Sequence, residues 1–262
     1  MSLFLVTAPA AEPVSLADVK LHLRVDTTAE NDLIAGLNTT ARQYAEAFTQ
    51  RAIPQQTWDW KLDAFPCGSE FYLPKAPCIS VTSISYVDTN GDSQTLATTV
   101  YDTDLPTGPH ARAGRIFLKY GQSWPQTRDI PNAVTVRFVA GYSGTAVTVA
   151  SLTQSSGTAT ATVTAGHGLT DLQQVTIAGA SQSGYNGTFT ATYVSATVFT
   201  FPVDSGTVSP ATGTVTATPD PVPVMVKLCI KEHARANYNR GADDREEILK
   251  WVNGQLWPFV SY

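Results

Sequence analysis

Residues 188–194 read Thr-Phe-Thr-Ala-Thr-Tyr-Val, with Phe189, Ala191 and Tyr193 on odd positions and threonine hydroxyls on the even ones between them. That alternation is the period of a β-strand with one apolar face. Working outward, the same composition runs from Thr145 to Thr218, a stretch of 74 residues with no Lys or Arg and only two acids, Asp171 and Asp204. Further β-branched runs lie at Thr158 to Val163, Val175 to Ile177, Val198 to Phe201 and Thr214 to Ala217, with turn residues at Gly166-His167-Gly168 and Asn186-Gly187. Strand-length runs punctuated in this way predict a small all-β domain, a sandwich or a barrel. All the other charged side chains lie in the flanks, so 145–218 reads as a domain inserted into a loop of a discontinuous core, 1–144 with 219–262.

The flanks predict helices at both ends and strands between them, making the whole chain α+β. Ser15 caps a short helix carrying Leu16, Val19 and Leu23, with Asp18 favoured in its first turn. Thr27 and Glu30 form the pattern of a capping box, followed by helical spacing at Leu33, Ile34, Leu37, Ala41, Tyr44, Ala45 and Phe48. On that second helix Arg42, Glu46 and Gln50 read as a solvated face. Alternation at Trp58/Trp60/Leu62, at Ile116/Leu118/Tyr120 and at Val134/Val136/Phe138/Ala140 predicts antiparallel strands. A change of parity between Ile79/Val81 and Ile84/Tyr86 predicts a bulge near Thr82-Ser83, ahead of a hairpin turn at Asn90-Gly91, and Pro74 and Pro77 confine their segment to an edge or loop. Beyond the insert, Asp220-Pro221 opens a helix through Val226, Ile230, Ala234 and Tyr238 that stops at Gly241, and a shorter helix follows from about Asp244 to Asn253.

Composition and motifs narrow the function classes. A net charge of −5 over 262 residues is no basis for a general grip on phosphate backbone. Three cysteines, Cys67, Cys78 and Cys229, have neither zinc spacing nor an even count, and Cys67 and Cys78 read as structural thiols. The best apolar run, Val222 to Ile230, is interrupted by Lys227 and is too short to span a membrane, and the apolar N-terminal stretch is too short for a signal sequence. Phosphate-binding loops, dinucleotide fingerprints, nucleophile elbows and HExxH are all missing. His22, His110, His167 and His233 stand singly, and Asp88, Asp102 and Asp104 fall among turn residues, so neither a metal, a cofactor nor a catalytic constellation is expected. The C-terminal stretch Leu256-Trp257-Pro258-Phe259-Val260-Ser261-Tyr262 is too aromatic to be a frayed end. It predicts docking, either back on its own chain or on another subunit or partner.

The order of these pieces resembles the head-to-tail connector, or adaptor, family of tailed bacteriophages. The resemblance rests on Glu12-Pro13-Val14-Ser15-Leu16-Ala17-Asp18-Val19-Lys20-Leu21-His22-Leu23-Arg24-Val25-Asp26, on Asn31-Asp32-Leu33-Ile34 and on Thr49-Gln50-Arg51-Ala52-Ile53. It continues through Leu73-Pro74-Lys75-Ala76-Pro77, Val81 to Asp88, Trp124-Pro125, Val139-Ala140-Gly141-Tyr142, and Val222-Pro223 with its helix to Tyr238-Asn239-Arg240. The insert departs from the family's compact form. Its His167-Gly168-Leu169, Val175 to Ala180, Tyr185 to Phe189 and Phe199-Thr200-Phe201 resemble a β-module of phage structural and tail proteins.

The resemblance implies a structural virion protein, not an enzyme: a homo-oligomeric ring, commonly twelve-fold, under the portal, receiving the stopper or tail-completion protein, with DNA passing unbound through its lumen. It implies that Trp251, Leu256, Trp257, Phe259 and Tyr262 contact the portal or a neighbouring subunit; the insert is expected on the outer rim, since a 74-residue module in the lumen would obstruct DNA. An alternative is a β-rich binding module that recognises a glycan or host surface through Tyr185, Asn186 and Tyr193.

Overall fold

The computed structural model describes residues 1–171, 173–239 and 244–261, and it divides the chain into two compact units, Met1–Tyr142 with Val222–Tyr262, and Ser143–Pro221. In the first unit β1 (Ser2–Thr7) precedes α1 (Leu16–Leu23) and α2 (Asn31–Thr49). Seven strands follow: β2 (Gln56–Leu62), β3 (Glu70–Tyr72), β4 (Cys78–Val87), β5 (Ser93–Thr95), β6 (Tyr101–Asp104), β7 (Arg115–Leu118) and β8 (Val134–Ala140). Helices α3 (Val224–Tyr238) and α4 (Arg245–Leu256) complete it. The strands form two antiparallel sheets, ordered β1-β2-β8-β4-β5 and β3-β7-β6, so the architecture is α+β.

The alternation in β8 does what its period dictates: Val134, Val136, Phe138 and Ala140 are buried and join Leu62, Phe71, Ile84 and Ile116 in one core between the sheets. The register of β4 on β8 slips between Val81 and Ser83, placing the bulge at Thr82, and slips again between Cys78 and Ser80. In the β4–β5 turn Gly91 has φ +97°, and Asp88 Oδ1 accepts hydrogen bonds from the Asn90 and Asp92 amides. Strand β7 ends at Leu118, so Tyr120 lies beyond it and is fully exposed. The N-terminal apolar stretch is itself a strand, the edge strand β1. At Gly141 (φ +132°) the backbone passes so near Pro54 that an added Cβ would lie 2.4 Å from its carbonyl oxygen. This close approach lets Tyr142 N–H reach Ile53 O at 3.0 Å, tying the end of β8 to the segment after α2.

A second core belongs to the helices. Val19, Ile34, Ala41, Ala45, Val226, Cys229, Ile230, Ala234, Val252 and Leu256 pack together with Val14 and Ile53. Ser15 caps α1 by accepting from Asp18 N–H at 3.0 Å. The capping box at Thr27 does not form: α2 begins four residues later, at Asn31, and the Glu30 carboxylate accepts the Tyr238 hydroxyl at 2.8 Å instead. Likewise α3 starts at Val224 rather than after Asp220, and its Gly241 stop lies outside the described residues.

The Arg42–Glu46 face of α2 is not solvated. Arg42 is buried and donates to Glu12 at 2.8 Å and to Glu46 at 2.6 Å, while the other Glu46 oxygen accepts from Ile53 N–H and Gln56 Nε2. The chain leaving α2 folds back over this face, and the ion pairs satisfy polar groups that the return would otherwise strand. Gln50 alone stays exposed, bonded to Ala47 O.

The second unit holds β9 (Val147–Ser155), β10 (Thr158–Val163), β11 (Gln174–Ala178), β12 (Gly187–Thr190), β13 (Thr192–Ser195), β14 (Val198–Pro202) and β15 (Thr216–Pro219). They form one antiparallel sheet ordered β12-β11-β15-β9-β10-β14-β13. The run 188–194 is therefore two strands. The chain changes partners at buried Ala191, from β11 to β14, and the two ends of the sheet are consecutive segments, which curls the sheet around one core of Val175, Ile177, Tyr185, Phe199, Phe201 and Ala217. The chain enters and leaves this unit at one point, since a Cβ on Gly144 would lie 2.2 Å from Pro219 O.

Candidate functional site

The C-terminal element is built from two spacings. In α4, Val252 and Leu256 are four apart and fully buried, with Ile248 partly buried on the same side. Trp251 turns to the other side and is 41% exposed. Pro258 then supports a single 3-10 turn, Trp257–Phe259, which separates neighbours sharply: Phe259 is buried at 6% exposure and Trp257 is 63% exposed. The Phe259 ring stacks on His110 with centroids 4.6 Å apart, and Phe259 O accepts from Arg51 Nε. Ser261 N–H donates to Thr49 O at 2.9 Å, and Tyr44 hydroxyl donates to Asn253 Oδ1 at 2.6 Å. The tail is thus pinned at four points to its own unit, which leaves Trp251 and Trp257 facing solvent on a fixed support.

Of the predicted contact residues, then, Leu256 and Phe259 serve the chain's own core, Trp251 and Trp257 are exposed, and Tyr262 lies outside the described residues. A cleft of about 310 Å³ beside Trp251 is lined by Glu232, Arg235, Asp244, Glu247 and Ile248. Its charges are largely paired, with Arg235 Nε donating to Glu232 at 2.8 Å and Arg235 Nη1 3.6 Å from Asp244.

Polar groups under the tail are tuned by burial. Arg51, 3% exposed, has its guanidinium pushed below the ordinary arginine range by desolvation, and the phenol of its neighbour Tyr142 is pushed up by the same cause. His233 stacks on Tyr44 at 4.4 Å, and burial, then the nearby Arg245, hold its pKa below the usual histidine value. Burial pushes the Cys229 thiol up to about 11 and Cys78 to about 12, which makes both poor nucleophiles, and all three cysteines are free.

The residues weighed for chemistry are occupied structurally. Asp88 holds its turn, and hydrogen bonds, first from Gln94, keep its carboxyl low. Asp104 pairs with Arg112 and Arg115, and Asp102 accepts from Thr103 N–H. Among the described residues no cluster of three or more His, Cys, Asp or Glu is arranged to hold a metal, and no helix is long and apolar enough to cross a membrane. The glycan-recognition trio does not assemble either. Tyr185 is completely buried and the Asn186 amide bonds both the N–H and the carbonyl of Ala180, leaving Tyr193 as the exposed member. Asn186 stabilises the turn before β12, a role that the turn chemistry at Asn186-Gly187 announces, and the Tyr185 ring fills the core beneath it.

With this geometry in place, comparison with known families finds a match in the N-terminal part. Residues 13–104 match the phage gp6-like head-tail connector protein family. Over this segment the chain is similar to a family of structural head-tail connector proteins. The matched segment takes in α1, α2 and the strands to β6, while Trp124-Pro125, Val139 to Tyr142 and Val222 to Arg240 lie outside it. Comparison with curated proteins found no match. Among solved structures, the chain is similar to a chain in the neck of an empty gene transfer agent particle computed with C6 symmetry. That likeness has 25% identity and a TM-score of 0.46 over 54% of this chain and 72% of the other. It is also similar to a chain of the native gene transfer agent virion (26%, TM-score 0.44, 54% and 72%) and to one in the native neck computed with C12 symmetry (24%, 0.44, 54% and 70%).

Proposed function

We propose that this chain is a component of the neck of a phage-like particle, forming a ring, twelve-fold in copy number, that sits under the portal and receives the stopper or tail-completion protein. The observation that carries the portal contact is the pair Trp251 and Trp257, exposed on an element whose other side is locked into the core by Val252, Leu256 and Phe259. Rigid exposed tryptophans lose little conformational freedom on binding and are the commonest interface anchors. The net charge of −5 supports a lumen through which DNA moves without being held. The test is the mass of the purified protein by light scattering, alone and mixed with portal, repeated with Trp257→Ala. A ring-sized species that forms with portal, and an affinity reduced about 30-fold by the substitution, agree with hot-spot magnitudes. A monomer indifferent to portal refutes the reading.

A further inference from the structure

The outer edge of β1 is unused by the role just described. β1 pairs with β2 on one side, and among the described residues no backbone hydrogen bond reaches its other side. Edge strands are ordinarily blunted by a charge, a proline or extreme shortness. Ser2–Thr7 has no charge and no proline, its register against β2 slips only at Val6, so that Ser2–Leu5 run regularly, and Phe4, Leu5 and Val6 are 50%, 47% and 46% exposed. Leu3 and Leu5 share a face with their cross-strand partners Trp60 and Trp58, so that face of the edge is apolar, while Phe4 lies on the opposite face beside Asp59 with the Lys61 ammonium 5.0 Å from its ring centre.

The strand is also self-complementary. Leu3-Phe4-Leu5 reads identically in both directions. An antiparallel copy centred on Phe4 sets Leu3 against Leu5 and Phe4 against Phe4, within the regular part of the strand and with no like charges opposed in these pairs. The other free edges of this unit match poorly: β5 is three exposed polar residues, and β3 and β6 would bring Glu70, Asp102 or Asp104 against Phe4 and Leu5.

We propose that the outer edge of β1 docks the β1 strand of a second copy of this chain, antiparallel about a two-fold axis at Phe4, continuing two five-stranded sheets into one of ten. Such a contact is isologous, whereas a ring closes through two different surfaces, so it stands or falls apart from the neck role. Three half-exposed side chains per copy bury well under the roughly 1,200 Å² of a stable interface, so the pairing is weak and depends on concentration.

The test is sedimentation velocity on the full chain without portal, over a concentration series, for the unmodified protein, Phe4→Glu, Phe4→Lys and an equal mixture of the two variants. Expected are a concentration-dependent dimer of the unmodified chain, association at least about tenfold weaker for each variant alone because like charges face each other, and recovery in the mixture, where Glu faces Lys. A chain that stays monomeric, variants that associate like the parent, or a mixture that fails to recover each overturns the proposal. Amide exchange on the unmodified protein gives the same reading without a substitution: protection in β1 rises with concentration, and a concentration-independent rate overturns it.

Discussion

Replacing Phe259 by Ala separates docking of the tail on its own chain from its offer to a partner. The ring is 6% exposed and stacked on His110, so truncation removes nearly the whole buried side chain and one aromatic contact. Core Phe→Ala changes cost about 3–5 kcal/mol, and a position on a terminal turn takes the low end, about 3 kcal/mol. At roughly 2–4 °C per kcal/mol for a chain of this size, the melting transition of the first unit falls by about 6–12 °C in scanning calorimetry, with the transition of 143–221 unmoved. Trp257→Ala, two residues away and 63% exposed, changes stability by no more than about 0.5 kcal/mol. Deleting 256–262 would mix both effects, because it removes buried Leu256 and Phe259 together with the exposed tryptophan. If Phe259→Ala melts within about 2 °C of the parent, the tail is not docked in solution, and the assignment of Trp257 as a presented anchor falls with it.

Gly141→Ala is expected to cost about 2 kcal/mol or more in urea titration, since a Cβ at φ +132° would also meet the Pro54 carbonyl at 2.4 Å. Excising residues 145–218 leaves the helix and sheet content of the first unit intact by circular dichroism, because Gly144 and Pro219 are already adjacent; loss of cooperative unfolding would count against this. Stability should fall as pH drops below about 6.5, where the unfolded chain protonates His233 and the folded one resists it. His233→Phe keeps a ring against Tyr44 and removes that part of the slope between about pH 5 and 7, as read from urea midpoints.

What could be read from sequence followed the range of the interactions involved. The Ser15 cap and the alternation of β8 are local and were legible, as was the break in composition at the insert. Strand β9 was not legible, because its buried residues Val149 and Leu152 are three apart, the register against β10 skipping a residue between Val149 and Ser151. Glu30 has the sequence of a capping residue but bonds Tyr238, 208 positions away, and Arg42 looks like a surface charge until the return of the chain buries it. In the candidate site the aromatic content of the tail pointed to docking. Which rings turn inward was decided by one 3-10 turn, which has no periodic signature to read.

The pairing of chain ends in the helical core bears on synthesis. Val14, Val19 and Ile34 share one core with Val226, Ile230, Val252, Leu256 and Phe259, and the Tyr44–Asn253 bond spans 209 positions. The core of 143–221 is built from residues of that stretch, Val149 to Ala217. At about 5–20 residues per second, the first two helices wait on the order of 10–40 s for their partners to leave the ribosome. The β unit, translated in the interval, completes itself first. The nascent chain therefore carries an unsatisfied apolar face on its first two helices until residues 224–259 have been made.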